Sequence, residues 1–224
     1  MEAWPLILIG SFIIEIFSLY FFSRLLTKSL AIIFYRLTRS RETTIYWLAA
    51  IFLPGTAIHE LSHALVAGGM LVPVGDISIT PKIEESGVVL GTAEITKTDP
   101  FRRAIIGVAP VLVGLGLIIG LVWFIGSVPW WAQILFAYLI FLIANTMFSS
   151  PKDLEGSVEV AAMVVALIVT PMFIGLYTPE MLMHWVLTPT VVTILQQCIL
   201  FLFVPIFLDI LFYGFTKLII HKLR

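Results

Sequence analysis

The chain has 224 residues, 60% of them hydrophobic and only 12% charged, with a mean hydropathy of +1.07. Water-soluble domains carry about 25% charged residues, so this composition excludes an ordinary soluble globule and points to a chain held in a bilayer. A formal net charge of −1 gives no electrostatic basis for binding nucleic acid, and the single cysteine, Cys198, excludes an internal disulfide.

In chain order, the apolar runs predict an all-α polytopic membrane protein. Six transmembrane helices fall at about 4–23, 45–70, 104–126, 130–148, 158–178 and 190–216, each near the ~20 residues that cross the hydrocarbon. The first run lacks a basic leader and a small-residue cleavage site, so it reads as a retained span. Arg24, Lys28, Arg36, Arg39 and Arg41 then flank an apolar patch from Leu30 to Tyr35. That stretch is either an interfacial amphipathic connector or a continuation of the first helix. In the second span Pro54-Gly55 predicts a kink one turn before His59, and Gly68-Gly69 predicts its end. Residues 71–103 form the substantial polar loop. Alternation in Asp76–Thr80 and within 88–96, interrupted by Pro81 and Glu85-Ser86-Gly87, predicts a β-hairpin over 74–96. Gly116 and Gly120 form a small-xxx-small pair that predicts helix packing. There is no internal repeat and no stretch long enough for a separate soluble domain, so 1–224 reads as a single membrane domain.

Chemistry concentrates in His59-Glu60-Leu61-Ser62-His63. On a helix, positions i and i+4 share a face, so both imidazoles can grip one cation while Glu60 reaches toward a water on it. This is the ligand and general-base spacing of zinc peptidases. A lone histidine in an apolar helix is commonly a hydrogen-bonded core residue. Two histidines and a glutamate at this spacing inside a bilayer are costly without a function.

Topology narrows the search for a third ligand. If the second span ends near residue 70, the third and fourth go out and return, and residues 149–157 emerge beside the 71–103 loop. Tyr46, Trp47, Trp123, Trp130, Trp131, Tyr177 and Trp185 then fall toward the opposite face as an interfacial belt. Asp153 emerges on the motif side and is the candidate third ligand, with Glu155 and Glu159 as alternatives; His184 and His221 are poorly placed. Asn145, in the same stretch, is either an interhelical hydrogen-bonding residue or a substrate or transition-state contact. Glu15 and Asp209 also lie in apolar spans, where a polar contact with another helix is the simplest role.

Here the chain resembles the site-2 protease group of intramembrane zinc metallopeptidases. His59, Glu60 and His63 match that family's His-Glu-x-x-His helix. Asn145, Pro151 and Asp153 resemble, in order and location, its later Asn…Pro…Asp-Gly motif, although Leu154 stands where the family has glycine. The hairpin over 74–96 resembles the membrane-associated hairpin after the histidine helix, and Ala109-Pro110 is similar to the Gly-Pro of the next span. The likeness covers about residues 45–160 and leaves helices at about 4–44 and 158–216 outside it.

The resemblance implies one Zn²⁺ per chain held by His59, His63 and Asp153. It implies Glu60-assisted attack of zinc-bound water on a peptide carbonyl, with Asn145 contacting the substrate backbone or the tetrahedral intermediate. The expected substrate is a membrane-anchored protein or peptide cut near the membrane surface, with no nucleic-acid partner. A rival reading, a metal-ion or proton-coupled transporter, draws on Glu15 and Asp209, although the His motif has no second copy. A catalytically inactive metal-binding scaffold would have no need of Glu60. Eight basic residues on the motif side against five in the 24–44 connector place the site toward the cytoplasmic face of the cell membrane.

Overall fold

A computed structural model describes residues 4–78, 82–84, 87–89, 91–148 and 157–222. They form helices α1 (Trp4–Thr38), α2 (Arg41–Gly69), α3 (Pro100–Ile125), α4 (Trp130–Thr146), α5 (Ser157–Phe173), α6 (Pro179–Val186) and α7 (Pro189–Lys222). Between α2 and α3 lie strands β1 (Val74–Ser78), β2 (Lys82–Glu84), β3 (Gly87–Val89) and β4 (Thr92–Ile95). Ile7–Thr38, Pro100–Ile125 and Pro189–Ile219 are long and apolar enough to cross a membrane. Large apolar side chains such as Phe17, Trp123, Leu167 and Phe215 are more than half exposed. A surface of that kind is compatible with a membrane protein.

The basic 24–38 stretch continues the first helix, giving α1 35 residues and a length of about 52 Å at 1.5 Å per residue. Arg39, at a φ of 54°, then turns the chain, and Ser40 caps α2 by accepting the Thr43 N–H at 3.3 Å. Helix α2 ends at Gly69, as the Gly68-Gly69 pair predicts.

Pro54-Gly55 lies inside α2 and serves close packing. A β-carbon on Gly55 would sit 2.5 Å from Thr146 Oγ1 and 2.8 Å from the Leu142 carbonyl, so α2 and α4 touch backbone to backbone one turn before the histidines. One turn further back, the Tyr138 hydroxyl donates to the Ile51 carbonyl at 3.2 Å. A Gly55→Ala variant is expected to lose about 1–3 kcal/mol of stability, because the rigid carbonyl cannot give way; thermal unfolding in detergent measures it. Gly114 plays a similar part, its would-be β-carbon lying 3.2 Å from Ile143 Cγ2. Gly116 and Gly120 correct the packing expectation: no described residue lies within 4 Å of where their β-carbons would stand. The small residue that faces α4 is two positions earlier.

Contacts between the helices give their directions. Tyr138 meets Ile51 and Thr146 meets Gly55, so α2 and α4 run the same way. His63 meets Ile106 while Gly114 meets Met147 and Ile143, so α3 runs against both. The belt residues Tyr46, Trp47, Trp123, Trp130 and Trp131 therefore share one end of the bundle, and the histidine pair lies toward the other. Glu15 is within electrostatic reach of Cys198; further along α1, Tyr20 meets Phe148 edge-on, and Asn145, one turn before Phe148, faces Asp209. Both sequences advance together, so α7 runs parallel to α1. Helix α7 thus enters at the end where α4 leaves. Tyr177 and Trp185, on either side of the start of α6, have rings 6.1 Å apart.

The predicted hairpin is two antiparallel pairs. The outer pair, β1 with β4, matches Val74 to Ile95 and Ser78 to Thr92 with a register shift between Val74 and Ile77; the inner pair, β2 with β3, matches Lys82 to Val89 and Glu84 to Gly87. Val74 and Ile95 at the base pack on Ala67, Val72 and Ile106, which seats the sheet on the ends of α2 and α3. Thr96 closes the base through its hydroxyl, which donates to the Pro73 carbonyl at 2.9 Å. Beyond it, Asp99 caps α3 by accepting the Arg102 N–H at 3.0 Å, a bond that holds its carboxyl below the usual carboxylate range.

Candidate metal centre

Helix α2 carries His59, Glu60 and His63, all buried, at 3%, 5% and 6% exposure. The i, i+4 spacing stacks the two imidazoles on one face with ring centroids 4.8 Å apart and planes at 83°. Their Nε2 atoms face each other at 3.2 Å. Two nitrogens bound tetrahedrally at ~2.0–2.1 Å lie about 3.3 Å apart, so the pair already has the spacing of two zinc ligands.

Helix α3 decides which nitrogen of His63 is available. Its Nδ1–H donates to the Ile106 carbonyl at 2.8 Å. A carbonyl can only accept, so the proton sits on Nδ1 and the Nε2 lone pair points toward His59. Metal-ligating histidines use this same back-side bond to fix tautomer and ring orientation.

Glu60 sits beside this pair under the sheet. A β-carbon on Gly91, the buried residue that leads into β4, would fall 2.9 Å from both Glu60 Cγ and Thr56 Cγ2 and 3.0 Å from Glu60 Oε1. The chain thus crosses directly over the carboxylate, which only a glycine permits. Thr56, one turn before Glu60, is buried with its Oγ1 free of hydrogen bonds among the described residues.

Asp153 and Glu155 lie outside the described residues, and Glu159 is in the first turn of α5 with its side chain likewise outside them. Among the described residues no group of three or more His, Cys, Asp or Glu gathers as a metal site. Asn145 is buried near the end of α4, where its Nδ2 donates to the Phe141 carbonyl at 3.1 Å. Its amide faces Asp209 of α7 without reaching hydrogen-bond geometry, and neither Asp209 oxygen is bonded by a described residue.

Sequence reasoning missed Gly91, Thr56 and the Ile106 carbonyl. A glycine in an alternating strand, a sign of close backbone approach, was the available signal for the first. The others carry no motif. No protein-family model matches the chain, and no curated protein and no solved structure matches it.

Proposed function

We propose that the chain is an intramembrane zinc-dependent endopeptidase of the site-2 protease type, cleaving membrane-anchored protein or peptide substrates near the membrane surface. The observation that carries this reading is the His59–His63 pair, with Nε2 atoms 3.2 Å apart and one ring tied back to a main-chain carbonyl, next to a buried glutamate. His59 and His63 are two ligands of a three-ligand site; Asp153 is the proposed third, with Glu155 and Glu159 as alternatives. Zinc, when bound, supplies the Lewis acid that activates water near neutral pH.

The protein's own groups do the rest. Glu60 takes the proton from the attacking water and passes it to the leaving amine. The buried wall around Thr56 and Gly91 limits solvent at that carboxylate, which strengthens its electrostatic hold on the reacting atoms. The exposed edge of the β-sheet receives an unwound substrate segment, and Asn145 contacts its backbone. Metal analysis tests the site: one zinc per chain, lost in His59→Ala and in Asp153→Ala. Zinc retained by the Asp153 variant would move the third ligand to Glu155 or Glu159, and zinc retained by the His59 variant would remove the site.

A second reading is favoured by one observation. Asp209 is fully buried with both oxygens unbonded by described residues, and Glu15 Oε2 is in the same state, as polar groups along a conduction path would be. On that reading the protein moves metal ions or protons, and radiometal uptake into reconstituted vesicles would exceed the protein-free control.

A further inference from the structure

In an α-helix the carbonyl of residue i accepts from the N–H of residue i+4. The residue four beyond Ile106 is Pro110, inside α3, and proline has no N–H. The Ile106 carbonyl therefore loses its normal helical partner in the middle of a buried segment. An orphaned carbonyl at such a depth is costly. The bond from His63 Nδ1 at 2.8 Å fills that gap. The pyrrolidine ring also crowds the carbonyl four residues back and tilts it away from the helix axis, and here α2 stands on that side. Two other helix prolines show related openings: the Ile51 carbonyl, three residues before Pro54, accepts from Tyr138, and Ile168, three before Pro171, accepts from Tyr177.

We propose that Pro110 is a positioning residue of the metal centre: by withholding its own N–H it dedicates the Ile106 carbonyl to His63, and so sets the ring that presents Nε2 to the cation. The hydrogen-bond assignment stands apart from the peptidase reading; only its consequence for zinc rests on it. In Pro110→Ala the new N–H reclaims the carbonyl, the helix straightens, and His63 loses its back-side partner.

The test uses the full chain in detergent or bilayer, with Pro171→Ala, a helix proline beside which Tyr177 takes the Ile168 carbonyl, as the control. Nitrogen-15 NMR of metal-free wild-type protein is expected to show His63 protonated on Nδ1, and Pro110→Ala to show a mixture of tautomers. Zn²⁺ titrated against a chromophoric chelator is expected to bind ~10–100-fold more weakly to Pro110→Ala and unchanged to Pro171→Ala. An Nε2–H tautomer in the wild type would overturn the proposal, even if the Pro110 variant failed to fold. So would a Pro110→Ala protein with wild-type tautomer and affinity. A tautomer shift in a protein that binds no zinc at all would keep the assignment and sink the peptidase reading instead.

Discussion

Replacing Glu60 by glutamine is expected to leave zinc content at one per chain and to lower cleavage of a membrane-embedded substrate by about 10²–10⁴-fold, the span that general acid–base catalysis contributes. The substitution keeps the volume and the hydrogen-bonding length of the side chain. That matters because Glu60 is 5% exposed and closely covered by Gly91 and Thr56. What glutamine lacks is a site for the proton. Glu60 lies one position from His59 and three from His63, so it is turned off the face on which their Nε2 atoms meet, and a metal held as proposed would not need it as a ligand. The loss should fall on the rate of the chemical step and leave substrate binding intact. Zinc content measured alongside cleavage separates a missing base from a missing ligand. Cleavage that persists at the wild-type rate would remove Glu60 from the chemistry, and zinc lost together with activity would recast it as a ligand.

How much of this was legible in the sequence depends on the range over which each signal acts. The histidine pair is a local feature, fixed by helical pitch within five residues, and the structure closes it to 3.2 Å as the spacing predicts. Gly68-Gly69 and the alternation around the hairpin are local as well, and both emerge where expected. Hydropathy located the apolar helices but carries no information about direction. Helices α4 and α5 have 17 residues each, about 26 Å of rise, short of the ~30 Å hydrocarbon, and length alone does not give their course. The sense of α7 follows from Glu15 lying within electrostatic reach of Cys198 and Asn145 facing Asp209, each more than 60 residues apart in sequence. Pattern reading has no access to such separations. Gly116 and Gly120 show the opposite failure. The motif is local, but whether a groove is filled depends on which face the partner helix takes, and α4 takes the one bearing Gly114. The back-side bond of His63 falls between these cases: Pro110 marks which carbonyl is released, and only the fold says who receives it.

A second large effect is expected at Gly91, which no catalytic motif contains. Gly91→Val should retain zinc and reduce cleavage by roughly 100-fold, the scale of a 1 Å displacement of a catalytic group. Even a single β-carbon there meets Glu60 Cγ and Thr56 Cγ2 at 2.9 Å, closer than real carbon contacts, and Glu60 Oε1 at 3.0 Å. Something has to move, and the three neighbours differ in stiffness. Thr56 is β-branched and held by its helix, with one strongly restricted χ1. The histidine rings are braced by the Ile106 carbonyl and by each other. The Glu60 carboxylate, at the end of a flexible stem, yields first. The base then swings out of register while the ligands stay, which is the opposite of what His59→Ala does. Gly75→Ala makes the control within the same sheet: the nearest atoms to its β-carbon would be those of the Glu94 side chain and carbonyl, at 3.2–3.4 Å, at an exposed position, and cleavage should stay near wild type. A Gly91→Val enzyme as active as wild type would mean that the sheet does not lie over Glu60 when the protein turns over, and the roofed carboxylate would lose its place in the mechanism.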